Sequence, residues 1–415
     1  MELSFRTDRL GSVLRLAFRS VLRLGLFLLS LVIPRNDALW VFGANGGEAF
    51  ADNPKYLYQY TVADRDHIRA VWLSRSDAVV AELNQSGYEA YHTDSLYGMW
   101  SNLRAGCAFI SHGMPDVNRW CSGGTTTVVL WHGVALKRIG WDGYKRKQPV
   151  EKAKAILKEA LFDRYDWFVV PTGAMIEPFS SAFHINPDRI LPLGYPRNDL
   201  LVGNVPNEKE TDRYDEYRRL YETETTILYT PTKHPETSQR VVDHLRLAEF
   251  DEWLYDRDAY LLVKPHPAEP IELRDSEGER EFARIVEVPE GLDVYPLLQY
   301  ADTLVTDYSS LYFDYLLLDR SVVFYPFDLE EYRSIRGFYF EYDAVTPGPV
   351  ASDFDGLLEA LDRRFDEEFA AERKSVRERF LQPVVTNRCE AVCDRFDPRT
   401  TGSTSSSTTD HRNHQ

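Results

Sequence analysis

Ten short apolar runs, in two series of five, set the strongest limit on what this chain can fold into. The first series is "LWVFGA" (39–44), "IRAVWLS" (68–74), "CAFIS" (107–111), "TTVVLWH" (126–132) and "WFVVPT" (167–172). The second is "TILYTPT" (226–232), "AYLLVKPHP" (259–267), "ARIVEV" (283–288), "DTLVTD" (302–307) and "SVVFYPF" (321–327). Such runs are strands buried on both faces, and the helical stretches between them, such as "NPKYLYQYTVA" and "EKAKAILKEALF", predict parallel sheets covered by helices. "GNVPNEKETD" (203–212) is a polar break between the series. The expected architecture is therefore α/β of the GT-B type, two Rossmann-like domains facing a central cleft. Ligands of such sheets bind off the carboxyl ends of the strands. The predicted borders are 1–35 for an N-terminal arm, 36–205 and 206–396 for the two domains, and 397–415 for a disordered Ser/Thr-rich tail.

A chain of 415 residues is long enough for two cores. Its net charge of −17 excludes nucleic acid as a partner, since a phosphate backbone needs a basic face. Of 48 basic residues only 11 are Lys, an acidic and Lys-poor balance that suits high salt. The four cysteines are too few for a disulfide framework, and the Cys389/Cys393 pair lacks the partners of a zinc site. A reducing compartment follows.

The first 35 residues run against the overall charge, with six Arg against Glu2 and Asp8. Arg15, Arg19 and Arg23 recur every fourth position and would form one stripe on a helix. The following "LGLFLLSLVI" is shorter than the roughly 20 apolar residues of a bilayer span. An amphipathic arm lying on an anionic membrane surface is the expectation. A core helix with a basic outer face and an uncleaved signal anchor are the alternatives.

Candidate chemistry collects at strand ends. His132 follows "TTVVLW" and precedes Gly133, Lys137 and Arg138; it is either a plain strand end or a proton-transfer group. "GYPRND" (194–199) brings Arg197 and Asp199 to the junction of the series. Thr232, Lys233 and His234 follow "ILYTP", and Lys264 and His266 lie in the proline-stiffened "VKPHP". "LVTDYSSLYFDYLLL" runs from a strand into Asp307, then Ser309 and Ser310 at the start of a helix. These serines either cap the helix or join its N–H groups in holding a phosphate; with His266 they could hold a diphosphate. No glycine-rich dinucleotide or P-loop motif is present, and no D-x-D pair stands at an evident site, so no metal is expected. Leaving-group charge would be met by Arg, Lys, His and a helix start.

"NPKYLYQY", "WHGVALKRIGWD", "GYPRNDLL", "ILYTPT", "KPHP" and the long block from "DVYPLLQYADTLVTDYSSLYFDYLLLDR" to "TPGPV" occur in that order. Together they resemble the CDP-glycerol glycerophosphotransferase family, the teichoic-acid primases and polymerases. The resemblance spans roughly residues 39 to 380. It implies an N-terminal acceptor domain, a C-terminal CDP-donor domain, and an enzyme on the cytoplasmic face of the cell membrane. That enzyme would move glycerol (polyol) phosphate from CDP-glycerol to a hydroxyl of a lipid-linked or polymeric envelope acceptor and release CMP. The donor is a co-substrate, and no cofactor is implied.

By the same resemblance His132 is the general base and His266 contacts the donor diphosphate. Ser309 and Ser310 match the donor phosphate site, and Arg333 and Arg336 of "YRSIRG" match a basic phosphate-binding segment. Thr232, Lys264 and Asp307 complete the donor-side candidates, while Lys137, Arg197 and Asp199 are assigned to the cleft. The chain departs from the family pattern at Val134 and Ala135, where Thr-Pro is usual, and at Lys233 and His234. Two other readings are carried: a GT-B glycosyltransferase using a nucleotide sugar, and a non-catalytic binding protein of envelope assembly.

Overall fold

A computed structural model describes residues 20–144, 150, 165–203, 211–232, 244–266, 273, 282–363, 367–381 and 386–401. Its chain divides into two compact units. The first comprises residues 1–132, 149–169 and 388–415, and the second residues 133–148 and 170–387. These borders differ from those expected of a single break near 205. The chain changes unit between His132 and Gly133, and its last helix returns to the first unit.

The first unit carries β1 (Asn36–Gly43), β2 (Arg69–Ser74), β3 (Ala90–His92), β4 (Ala105–Ile110), β5 (Thr126–Val129) and β6 (Trp167–Val169). They lie in the order β3-β2-β1-β4-β5-β6, and every pair is parallel. Trp40, Val41 and Phe42 of β1 are fully buried, as a central parallel strand requires. Phe42 stacks on Phe109 of β4 at 5.1 Å, and Phe50 meets Trp72 of β2 edge-on at 4.7 Å. The helix Arg388–Phe396 closes this core. Cys393 Sγ lies 3.6 Å from Thr61 Oγ1, and Phe396 packs against Phe109. The expectation of a disordered tail from 397 is corrected for its first residues. Asp397 is buried against His67 at 2.9 Å, and Pro398–Thr401 form a helical turn. Residues 402–415 lie outside the described residues.

The second unit begins its strands with the short β7 (Ile190–Leu191), beside Val170. Its sheet is β8 (Thr225–Thr230), β9 (Ala259–Val263), β10 (Ile285–Glu287), β11 (Thr303–Thr306) and β12 (Ser321–Phe324). The order is β10-β9-β8-β11-β12, again all parallel. Ile227, Leu261, Val263, Val305 and Val323 form its core with Phe250 and Leu254 of one helix and Leu357 and Leu361 of another.

The arm is less independent than expected. A helix covers residues 20–30, and its end is bound to the first unit. Ser30 is buried and accepts the Gly123 amide at 2.9 Å, while Arg35 donates to the carbonyls of Asn102 and Leu103. Val21, Leu22, Leu24 and Leu28 nevertheless face outward, so this is not a core helix. Arg15 and Arg19 of the expected stripe lie outside the described residues. Among the described residues, no helix is long and apolar enough to cross a membrane.

Candidate active site

The structure corrects the environment of His132. Strand β5 stops at Val129, and His132 lies in a turn beyond it. Leu130 continues the ladder by donating to Ile110 O at 2.7 Å, and then Trp131 turns to φ +54. A bulky residue in the left-handed region is costly and persists only where neighbours impose it. Asn53, fully buried, supplies that restraint: its Nδ2 donates to Leu130 O at 3.2 Å and to Trp131 O at 2.9 Å. The "NPKYLYQY" motif thus holds the "WHG" turn from the first turn of the helix Asp52–Asp64.

His132 is half-buried, its Nδ1 3.4 Å from Ser111 O, and its ring stacks on Trp131. A carbonyl at Nδ1 assigns that nitrogen the proton and makes Nε2 the nitrogen that can accept one. A second imidazole, His112, stacks face to face on it, with centroids 4.0 Å apart and planes 4° from parallel. Ser111 Oγ is 2.8 Å from His112 Nδ1. Below this pair, the buried Asp116 accepts the amides of Ser111 at 2.8 Å, His112 at 2.7 Å and Gly46 at 2.7 Å. Burial pushes the Asp116 carboxyl above the usual range, while these amides and His112 pull the other way.

One atom each of Asp52, His112 and His132 lie within 4.8 Å of one another, near enough to suggest a metal site. The parallel rings argue against that. Ring lone pairs lie in the ring plane, so those of His112 and His132 run side by side and do not converge on one ion.

In the second unit, the parallel register of β8 and β11 sets Thr230 beside Thr306, so the segments leaving both strands meet. Asp307 accepts the Thr232 amide at 2.9 Å, the Thr232 hydroxyl and the Tyr308 amide. Both its carboxylate oxygens are engaged in joining the two strand ends. Tyr308 stacks on Tyr332 at 3.9 Å and donates to Asp328, which seats the helix Leu329–Arg336. The segment after Gly133 pairs with the chain after that helix: Tyr339 N donates to Leu136 O and Arg138 N to Gly337 O. This brings Lys137 beside Asp307, Arg336 and the Tyr332 ring, 5.9 Å from its centroid. Burial, helped by Arg336 and opposed by Asp307, pushes the Lys137 ammonium down to about 8.

Ser309 and Ser310 divide the two roles considered for them. Ser309 Oγ accepts the Leu311 amide at 3.3 Å, a cap, whereas Ser310 makes no side-chain cap bond. The helix they open is only Leu311–Tyr315, so a phosphate here would be met by hydroxyls and nearby cations more than by a helix dipole. Gly133, at φ +152, lies against Ser310: a Cβ there would fall 2.3 Å from Ser310 Oγ and 3.7 Å from Arg197 Nη2.

Arg197 is buried and bonds Asp314 at 2.6 Å, its guanidinium 4.5 Å above the Tyr295 ring. Asn198 and Tyr295 also donate to Asp314, at 3.0 and 2.7 Å. Asp199 is fully buried in the short helix Asn198–Leu201. Lys264 donates to the carbonyls of Pro289 and Glu290, Arg333 pairs with Glu330, and His266 is exposed. Lys233 and His234 lie outside the described residues.

Two parallel-sheet units of this kind, with cations and hydroxyls at their strand ends, define the GT-B class of transferase folds. Within that class, a solved structure of the wall teichoic acid polymerase TagF superposes with a TM-score of 0.74 at 24% identity, covering 96% of this chain and 99% of that one. Residues 26–395 match the CDP-Glycerol:Poly(glycerophosphate) glycerophosphotransferase family, and the chain belongs to it. A teichoic acid glycerol-phosphate transferase of Staphylococcus aureus is 30% identical over 80% of this chain and 85% of its own length. A teichoic acid poly(glycerol phosphate) polymerase of Staphylococcus epidermidis is 28% identical over 77% of this chain, which spans only 45% of that longer protein.

Sequence reasoning missed His112, Asp116 and Asp314. A histidine two residues past a strand in "FISHGMPD", followed four residues later by an aspartate, was the available signal for the first two. For Asp314 it was a lone carboxylate within "LYFDYLLL".

Proposed function

We propose that this chain transfers glycerol phosphate from CDP-glycerol to a hydroxyl of a teichoic-acid-like acceptor and releases CMP. The observation that carries the reading is the placement of His132 in the turn beyond β5, with Nδ1 3.4 Å from the Ser111 carbonyl, which makes Nε2 the nitrogen able to take a proton. His132 takes the acceptor proton as the oxygen attacks the β-phosphorus. Lys137, Arg336, Ser310 and His266 meet the diphosphate charge, and Asp307 acts by fixing the turn that carries the serines. These groups supply the charge that a metal would otherwise supply, so no metal is required. The test is CMP release with CDP-glycerol, CDP-ribitol and a nucleotide sugar. CDP-glycerol should be preferred, and His132→Ala should lose about 10²- to 10⁴-fold in kcat. Turnover of the nucleotide sugar alone would favour a glycosyltransferase.

The enzyme works on the cytoplasmic face of a membrane, held there by the arm. Support comes from Val21, Leu22, Leu24 and Leu28 facing outward, and from the neighbouring helix Leu96–Arg104, which exposes Leu96, Tyr97 and Trp100. The two segments are tied by Arg104, which donates to Pro34 O at 2.7 Å. Aliphatic residues with Tyr, Trp and Arg are the composition of a membrane-interface face.

A further inference from the structure

We propose that Asp52 and His112 are positioning residues for the proton transfer of His132, Asp52 by stabilising the imidazolium and His112 by fixing the ring plane. The inference rests on the reading of His132 as general base. In that step the acceptor O–H bond breaks, its proton goes to His132 Nε2, and the oxygen bonds the β-phosphorus as CMP leaves. The imidazole becomes a cation at the moment of reaction. A carboxylate within 4.8 Å of it favours that charged form.

Local structure is arranged to hold this geometry. Asp52 sits at φ +63, a conformation that aspartate and asparagine tolerate better than most residues, and accepts the Asn53 amide at 2.8 Å. The next residue, Asn53, grips the backbone of Leu130 and Trp131. One helix start therefore sets both the position of the turn and the carboxylate facing its imidazole. His112 is held from the other side, through Ser111 Oγ at its Nδ1 and Asp116 at its amide. A face-to-face stack at 4.0 Å leaves the His132 ring little rotation. Asp52 and His112 are titratable groups close to His132 in this unit, and Asp116 stands behind Ser111.

The two residues make predictions of opposite sign. With His132 as base, turnover rises with pH as the ring loses its proton. Asp52→Asn keeps the backbone conformation and an amide acceptor but removes the charge. The rising limb of kcat should then move down by about one pH unit. The plateau should fall several-fold, because a weaker base is a poorer catalyst, while the KM for CDP-glycerol stays within about twofold. His112→Phe keeps a ring for stacking and removes a group that repels the imidazolium when protonated, so the limb should move up. His112→Ala also loses the stack and should lose more kcat than His112→Phe, again without a change in donor KM.

The experiment is the pH dependence of CMP release for the full chain and these variants, each first shown to melt cooperatively. A limb unmoved in both Asp52→Asn and His112→Phe, or moved the same way in both, overturns the proposal. His132→Ala in the same assay separates the two levels of inference. If it is inactive while the other variants leave the limb in place, only the positioning roles fail. If it keeps the parent turnover, the base assignment fails with them.

Discussion

Removal of the Asp314 carboxylate should cost the second unit much of its stability. Its carboxylate accepts from Arg197 at 2.6 Å, Asn198 at 3.0 Å and Tyr295 at 2.7 Å, and it is fully buried. Asp314→Asn would leave the guanidinium of Arg197 buried without its counter-charge. Breaking a buried pair in this way costs about 3–5 kcal/mol. The two other hydrogen bonds, at about 1.5–3 kcal/mol each to a charged acceptor, add less than their sum because the Asn carbonyl still accepts. About 2–4 °C per kcal/mol for a unit of this size gives a fall of roughly 6–20 °C in Tm. Differential scanning calorimetry, following the transition that Asp314→Asn displaces, measures it. Arg197→Met combined with Asp314→Leu should recover much of the loss, since a packed apolar pair replaces the ionic one. A fall below about 2 °C for Asp314→Asn would refute the claim that this pair knits the "GYPRND" turn to the helix after Ser310.

Three further outcomes are expected. Lys137 is held near 8 by burial, so it loses its charge as pH rises through that value; the KM for CDP-glycerol should climb above pH 8, and Lys137→Arg should flatten the rise. A KM that is flat from about pH 7 to 9.5 in the parent would remove Lys137 from the donor site. Gly133→Ala forces a Cβ into Ser310 Oγ at a backbone angle that L-residues avoid, so stability should drop by about 1–3 kcal/mol and donor KM should rise, both readable by thermal melting and CMP release. Leu22→Glu with Leu24→Glu, and separately Trp100→Glu, should reduce co-sedimentation with phosphatidylglycerol vesicles while CMP release onto a water-soluble acceptor is kept. Unchanged sedimentation in both would refute the membrane face.

Much of the fold was legible because parallel strands buried on both faces leave unbroken apolar runs. The strands that escaped notice are β3 and β7, three and two residues long and only partly buried, too short to show a pattern. The "TTVVLWH" run reads as strand to its end because apolar content cannot report a backbone reversal, and Trp131 makes one at φ +54. Unit borders were obscured for a related reason. The chain leaves the first unit inside the "WHG" motif, where composition does not change. Within each unit, the motifs point to His132 in the first and to Lys137 and Ser310 in the second, whose neighbours are close in sequence or at the ends of predicted strands. His112 could not be paired with His132 without the register that sets Ile110 beside Val129, which brings two turns 20 residues apart into contact. Asp307 shows the converse: a polar residue at a strand end whose carboxylate is occupied by the strand next door.

The four cysteines have a practical use. All are buried, and burial pushes the thiols of Cys107, Cys121 and Cys393 up to about 12. Near neutral pH this holds their thiolate fraction well below that of an ordinary exposed cysteine, and the thiolate is the reactive form. A cysteine introduced at an outward position such as Leu96 would therefore take up a maleimide dye far ahead of the native thiols. A fluorophore could be placed on the Leu96–Arg104 helix without first building a cysteine-free background.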